Sequence, residues 1–143
     1  MISGIYIILN TINNKWYVGS GKDLGLWYKG RWYYHKQKLN TNRHFNQHLQ
    51  SAWNKYGETC FEFHIVELII RMPMESNENF GERLTCAEQK YINWGFDCNP
   101  IVMYNISKTA NHPTASGWKM SDMAKQKIGD ANRGRIRTEE TKK

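Results

Sequence analysis

The sequence predicts a small α/β protein of the α+β kind: a central antiparallel sheet of about three strands flanked by helices, then a basic C-terminal tail that is part extended, part helical. Three observations carry this. Residues 3–23, SGIYIILNTINNKWYVGSGKD, read as two β-rich runs joined by a polar turn. A third β-rich run, FEFHIVELII, fills 61–70. Around these strands apolar residues recur at helical spacing. A length of 143 residues with 40% hydrophobic content suits one ordinary core plus a tail. The expected division is a domain over 1–107 and a tail over 108–143.

The hairpin comes first. Asn tolerates positive φ, so Asn13-Asn14 is predicted as a two-residue turn, with Asn10 facing Tyr17 and Leu9 facing Val18. Alternation then sets Ile5, Ile7, Leu9, Trp16 and Val18 on one face, expected to be the core. Tyr6, Ile8 and Tyr17 share the other, expected to be open. Gly4 and Gly19 fall at one end of the ladder, where a missing side chain leaves room for a ligand or another backbone.

Residues 25–39 read as a helix after a loose, glycine-containing start, with Arg31, His35 and Lys38 on one face. Residues 44–57 form a second helix. Phe45, Leu49, Ala52, Trp53 and Tyr56 are its expected buried stripe, and Gly57 its C-terminal cap. Residues 85–95 form a third, with Leu84, Ala87, Tyr91 and Trp94 turned inward and Thr85-x-x-Glu88 as a capping box.

Twenty Lys and Arg against thirteen Asp and Glu give a formal net charge of +7. Such a balance favours a polyanionic partner, nucleic acid first. Residues 118–143 hold eight of the basic residues and four acidic ones. Ser121–Lys125 and Thr138–Lys142 are approximate copies, each with a helix N-cap, acidic residues in the first turn and a lysine after them. The stretch NRGRIRTEETKK resembles a modular DNA-binding motif, which implies Lys119, Lys125, Lys127, Arg133, Arg135 and Arg137 as DNA contacts of this tail. The chain stops inside the second copy, which suggests a longer DNA-binding region. Cys60, Cys86 and Cys98 are too widely spaced for a zinc pair and odd in number, so reduced thiols in a cytoplasmic, intracellular protein are expected. No apolar run reaches the roughly 18 residues that span a membrane, and the N-terminus lacks a signal-peptide pattern.

Gly4-Ile5-Tyr6, Tyr17-Val18-Gly19, an arginine on the next helix and a glutamate on a later one resemble, in that order, the motifs of the GIY-YIG nucleases. The opening SGIY…NTINNKWYVGS and the segment Tyr104-Asn105-Ile106 are similar to the intron-encoded homing endonucleases of that family. The resemblance covers about residues 1–107. It implies a catalytic set of Tyr6, Tyr17, Arg31, His35 and Glu88, with Glu88 the ligand of Mg²⁺ (or Mn²⁺), and it implies DNA-site roles for His44 and Asn105. It also implies double-stranded DNA as the substrate, cut at an intron-insertion kind of site by a monomer with no protein partner. About one extra helical turn separates Lys22 from Arg31, so Arg31 is assigned by its neighbours Trp32 and His35.

The chemistry suits these residue types. Phosphodiester hydrolysis needs an activated water, charge stabilisation on the phosphate and help for the leaving oxygen. One carboxylate suffices for Mg²⁺, which keeps several waters. An arginine fork neutralises phosphate oxygens. Tyr6 or Tyr17 serves as the base if a cation such as the metal, Lys15 or Lys22 lowers its ordinary pKa of about 10. His35 is a second candidate for proton transfer. A restriction-type nuclease of the same family is the nearest alternative, and the repeat-bearing tail argues against it. An inactive DNA-binding module is another, and the presence of Tyr6, Tyr17, Arg31 and Glu88 argues against that.

Overall fold

A computed structural model describes residues 2–25, 30–110 and Gln126. Residues 2–25 and 30–110 lie within one compact unit, Met1–Asn111. The order is β1 (Gly4–Asn10), β2 (Trp16–Gly21), α1 (Arg31–Asn40), α2 (Gln47–Tyr56), β3 (Phe61–Leu68) and α3 (Asn77–Cys98), with short 3₁₀ turns at Glu58–Cys60 and Pro100–Val102. The three strands make one antiparallel sheet in the order β2-β1-β3, as expected. Among the described residues no helix is long and apolar enough to cross a membrane.

The hairpin loop is wider than the sequence suggested. Leu9 pairs with Trp16 and Ile8 with Tyr17, which leaves Thr11–Asn14 as a four-residue loop. Two Asx turns hold it: Asn10 Oδ1 accepts the Ile12 N–H at 2.9 Å and Asn13 Oδ1 accepts the Lys15 N–H at 3.0 Å. Asn14 alone takes the left-handed conformation, at φ 56°. The register moves by two residues, so every side chain keeps its predicted face.

Both faces are covered, which corrects the expectation of an open one. Ile5 and Val18 pack on Phe80, Leu84 and Ile92 of α3. Tyr6, Ile8 and Tyr17 pack under α1 and α2, with Leu39, Leu49 and Trp53. Tyr6 is 0% exposed and Tyr17 2%. A three-stranded sheet this apolar on both sides must be layered on both sides.

Local signals explain the helix starts. Leu24, fully buried, anchors the loop before α1, and the Arg31 N–H donates to the Asp23 carbonyl at 3.2 Å. Gly25 and Gly30 lie against each other there. A Cβ on Gly30 would overlap the Gly25 backbone, so only glycine permits that closure. α2 begins after Asn46, whose Oδ1 accepts the Leu49 N–H at 2.9 Å. Phe45 thus precedes the helix and is half exposed, outside the stripe assigned to it. α3 begins eight residues before the predicted start, capped by Ser76, whose Oγ accepts the Asn79 N–H at 3.1 Å. Thr85 is no cap: it lies mid-helix and its hydroxyl donates to the Gly81 carbonyl at 2.9 Å. The inward row is Phe80, Leu84, Glu88, Ile92 and Gly95, and Trp94 points to solvent. Glu88 therefore occupies a core position of α3 rather than its first turn.

The chain after α3 returns to the free edge of β2. Tyr104 N–H donates to the Trp16 carbonyl at 2.8 Å. The Asn105 side chain replaces the next peptide: Oδ1 accepts the Val18 N–H at 2.8 Å and Nδ2 donates to the Val18 carbonyl at 3.0 Å. Asn105→Ala would leave both Val18 groups without partners at a buried edge. It is expected to destabilise the fold by about 1–3 kcal/mol, read as a lower urea midpoint.

Candidate active site

The predicted residues converge at the end of the sheet where Tyr6 pairs with Gly19 and Gly4 with Gly21. An open cleft of about 440 Å³ lies there, lined by Ser20, Lys22, Asp23, Arg31 and Thr85 among others. β2 supplies one wall, the start of α1 another and the middle of α3 the third.

Tyr6 is the centre of the arrangement. Its hydroxyl lies 2.6 Å from His35 Nε2 and accepts from Arg31 Nε at 3.1 Å. His35 Nδ1 is 2.7 Å from His44 Nε2. His44 Nδ1 accepts the Asn46 N–H at 3.1 Å. The Asn46 carbonyl lies farther from the same nitrogen, at 3.4 Å, so the shorter bond from the N–H selects the tautomers. A neutral His44 whose Nδ1 accepts must carry its proton on Nε2 and donate to His35. A neutral His35 whose Nδ1 accepts then donates from Nε2 to Tyr6. The Tyr6 oxygen receives two donors, and the Tyr17 hydroxyl is a further hydrogen-bond neighbour. Gly19 makes room for it, since a Cβ there would stand 2.5 Å from the Tyr6 hydroxyl.

Burial dictates the protonation states. It pushes Tyr6 up to about 12, against the pull of Arg31 and with a further push from Glu88. Burial also holds Tyr17 well above the ordinary tyrosine range, helped by the neighbouring Tyr6 and Glu88 charges. His35 is held well below the usual histidine range by burial, then by Arg31 and His44. His44 is lowered to about 4, chiefly by burial. The column is therefore neutral at pH 7, and Arg31 is its cation.

Glu88 approaches from the opposite face of the sheet. Its Oε2 accepts the Ser20 hydroxyl at 2.6 Å, and its charge is felt by both tyrosines. Ser20 was not singled out from the sequence, although strand alternation from Ile5 places it on the α3 face. Tyr6, Tyr17, Arg31, His35 and Glu88 thus belong to one site. His44 stands behind His35, 1% exposed, and supports the column rather than facing solvent. Asn105 is 7% exposed and committed to Val18, so its amide faces the sheet edge and not the cleft. Lys119, Lys125, Lys127, Arg133, Arg135 and Arg137 lie outside the described residues.

Two carboxylates stand at the cleft: Asp23 lines it, with Oδ1 accepting the Gly25 N–H at 3.0 Å, and Glu88 reaches its wall through Ser20. No group of three or more His, Cys, Asp or Glu residues is arranged to hold a metal among the described residues. Such a set suits an ion that keeps most of its waters, as Mg²⁺ does, and does not suit a fully protein-caged ion.

No family model matches the chain. It is 46% identical over 69 residues to intron-associated endonuclease 1 of Enterobacteria phage T4, a match of 48% of this chain and 26% of that protein. It is 34% identical to the probable intron-encoded endonuclease 1 of Neurospora crassa over 96% of this chain and 42% of that protein. The chain thus spans about a quarter and about two fifths of the curated relatives it matches. Among solved structures it is similar to the catalytic domain of the intron endonuclease I-TevI. A mutant of that domain superposes with a TM-score of 0.59 at 36% identity, covering 76% of this chain and 97% of that one. A second structure of the domain gives a TM-score of 0.53 at 37% identity, covering 73% and 98%.

The close approach at Gly19 is testable. Gly19→Ala would drive a methyl into the Tyr6 hydroxyl and within 3.1 Å of the Tyr17 ring, and neither buried ring has space to retreat. The expected cost is about 1–3 kcal/mol of stability, measured by urea unfolding.

Proposed function

Because the chain belongs to the GIY-YIG family, among its intron-encoded homing endonucleases, we propose that it is a metal-dependent endonuclease that hydrolyses phosphodiester bonds of double-stranded DNA. The observation that carries this reading is the buried Tyr6 hydroxyl held between Arg31 and His35, one strand away from the Glu88 carboxylate.

Each side chain has a task in that reaction. Glu88 would hold Mg²⁺, or Mn²⁺, through one carboxylate and the ion's own waters. When bound, such an ion neutralises phosphate charge and stabilises the leaving oxygen. Arg31 spends Nε on Tyr6, which leaves its terminal nitrogens for a phosphate oxygen. Tyr6 is the better base of the two tyrosines. As a phenolate it would keep both donors it already has, the Arg31 Nε–H and the His35 Nε2–H. A water admitted past Gly19 as the substrate binds would give its proton to that oxygen, and its own oxygen would form the new bond to phosphorus as the bond to the leaving sugar oxygen breaks. His35 and His44 hold the acceptor in place and exclude water from behind it. The homing character, a long target read in part by the basic tail, rests on the relatives and on the sequence of residues 118–143.

The direct test is to incubate the protein and Mg²⁺ with a DNA library and sequence the ends produced. A few ends at a long, non-repeating site are expected. Short palindromic ends would instead mark a restriction-type enzyme.

Glu88→Gln keeps an acceptor for Ser20 but loses the charge. It is expected to fold normally, bind DNA and lose cleavage by 10³-fold or more, on the order of removing a metal from such a site. A variant cutting at near wild-type rate on plasmid DNA would show that Glu88 is only a structural acceptor.

The pH dependence follows from Tyr6. The active form is the phenolate, and the group sits at about 12 in the folded protein. Below that value each unit of pH multiplies the phenolate fraction by about ten. The rate at saturating Mg²⁺ should climb with unit slope across the neutral range and not fall on the alkaline side. Tyr6→Phe should remove both the activity and the slope, whereas Tyr17→Phe should retain the slope. A rate that is flat from pH 6 to 9 would exclude Tyr6 as the base.

A further inference from the structure

The charge of the described unit is divided between its two layers. Residues 24–57, which build α1, α2 and the loops before and between them, contain six basic residues and no acidic one. Residues 58–110, which build β3 and α3, contain eight acidic residues against four basic. The sheet stands between, and the cleft opens at its edge.

On α1 the basic residues form a row. Arg31, Tyr34 and Lys38 share one side of the helix at i, i+3 and i+7. The Arg31 guanidinium and the Lys38 ammonium each lie 5.6 Å from the Tyr34 ring centroid, and that ring is 44% exposed. The Arg43 N–H donates to the Lys38 carbonyl at 2.8 Å, so the exposed Arg43 continues the row past the end of α1. Lys36 stands apart: it is paired with Glu58 and lies beside Trp32. Seven residues of helix rise about 10 Å, which is about three nucleotides of a B-form strand.

We infer that the Arg31–Tyr34–Lys38–Arg43 row is a backbone track for duplex DNA, which leads the strand to be cut into the cleft at Arg31. The inference rests on the nuclease reading above and adds where the substrate lies. The α1–α2 layer takes the phosphates, and the acidic α3 layer turns away from them except at Glu88. Lys38 and Arg43 contact phosphates about three nucleotides or more from the cut. Tyr34 spaces the two cations and packs on the sugar between them. Such contacts fix register and carry no base preference.

The test measures affinity against salt for the whole 143-residue chain, in a Glu88→Gln background that leaves bound DNA uncut. The probes are the mapped target duplex and an unrelated duplex of equal length. Each phosphate contact contributes about 0.9 to the slope of log affinity against log salt. Lys38→Gln and Arg43→Gln should each lower the slope by about one unit, together by about two, equally on both duplexes. Lys90→Gln, on α3 with its side chain 72% exposed, should leave the slope unchanged. In the cutting protein, Lys38→Gln should raise KM several-fold and leave kcat within about twofold, since the lysine acts before the chemical step. Unchanged slopes for Lys38→Gln and Arg43→Gln, or an equal loss with Lys90→Gln, would overturn the track while the nuclease reading stood. A parent chain that neither binds nor cuts duplex DNA would instead overturn the nuclease reading.

Discussion

The Tyr6 hydroxyl sits where no solvent reaches it, on a ring that is 0% exposed. A buried hydroxyl without partners costs on the order of 1–3 kcal/mol, so the fold has to supply them. It does so with a column of side chains from two neighbouring segments: Arg31 and His35 of α1, and His44 from the loop before α2, itself held by the Asn46 peptide. Much else follows. α1 has to begin at Arg31, so the preceding loop closes at Gly25 and Gly30. The loop between α1 and α2 has to place a peptide N–H against His44, and Asn46 does this while also capping α2. β2 has to present a glycine opposite Tyr6, because any Cβ would occupy the place of the hydroxyl.

The same burial ties stability to reactivity. Two neutral imidazoles, one with its pKa lowered to about 4, are poor proton acceptors. They are, however, rigid donors, and a phenolate is what a rigid donor stabilises best. Arg31 adds the one charge in the column that no accessible pH removes. Arg31 thus offsets part of the cost of burying a negative charge on Tyr6, and burial still outweighs it, leaving the group at about 12. In the proposed reaction these donors would be in place before the proton moves, so no reorganisation would be needed as charge develops.

How much of this was legible in the sequence depends on the kind of signal. Strand alternation gave the correct faces for Tyr6, Tyr17, Ile5 and Val18, because a register error of two residues preserves parity. It could not say that the tyrosine face was covered, since aromatic residues serve in a core or on a wall alike. The α3 start was misplaced because Thr85 and Glu88 imitated a capping box. The real cap, Ser76, lies before a stretch with few apolar residues, and the inward row from Phe80 to Glu88 shows a four-residue spacing only once the helix is known to be longer. Arg31, assigned from the sequence by its neighbours Trp32 and His35, opens α1 with its N–H on the Asp23 carbonyl and its Nε on the Tyr6 hydroxyl. Asn105 was legible as a motif residue but not as a mimic of a peptide, since pairing of a side chain with a strand edge leaves no periodic trace.

The division of charge gives the site its location. A phosphodiester enzyme needs cations to gather the substrate and a carboxylate to hold a cation, and the two repel or neutralise each other if mixed at random. Here the sheet keeps them apart. The acid-free α1–α2 layer bears Arg31, and α3 bears Glu88 among its many carboxylates. They meet at the end of β2, where Gly19 turns its face to Tyr6 and Ser20 turns the opposite face to Glu88. Successive residues of a strand point to opposite sides. One dipeptide, Gly19-Ser20, therefore joins the two layers, and the short side chains at that point keep the edge open to a phosphate. In the proposed reaction an ion held by Glu88 and a phosphate held by Arg31 would share that opening, each reducing the repulsion that the other would feel alone.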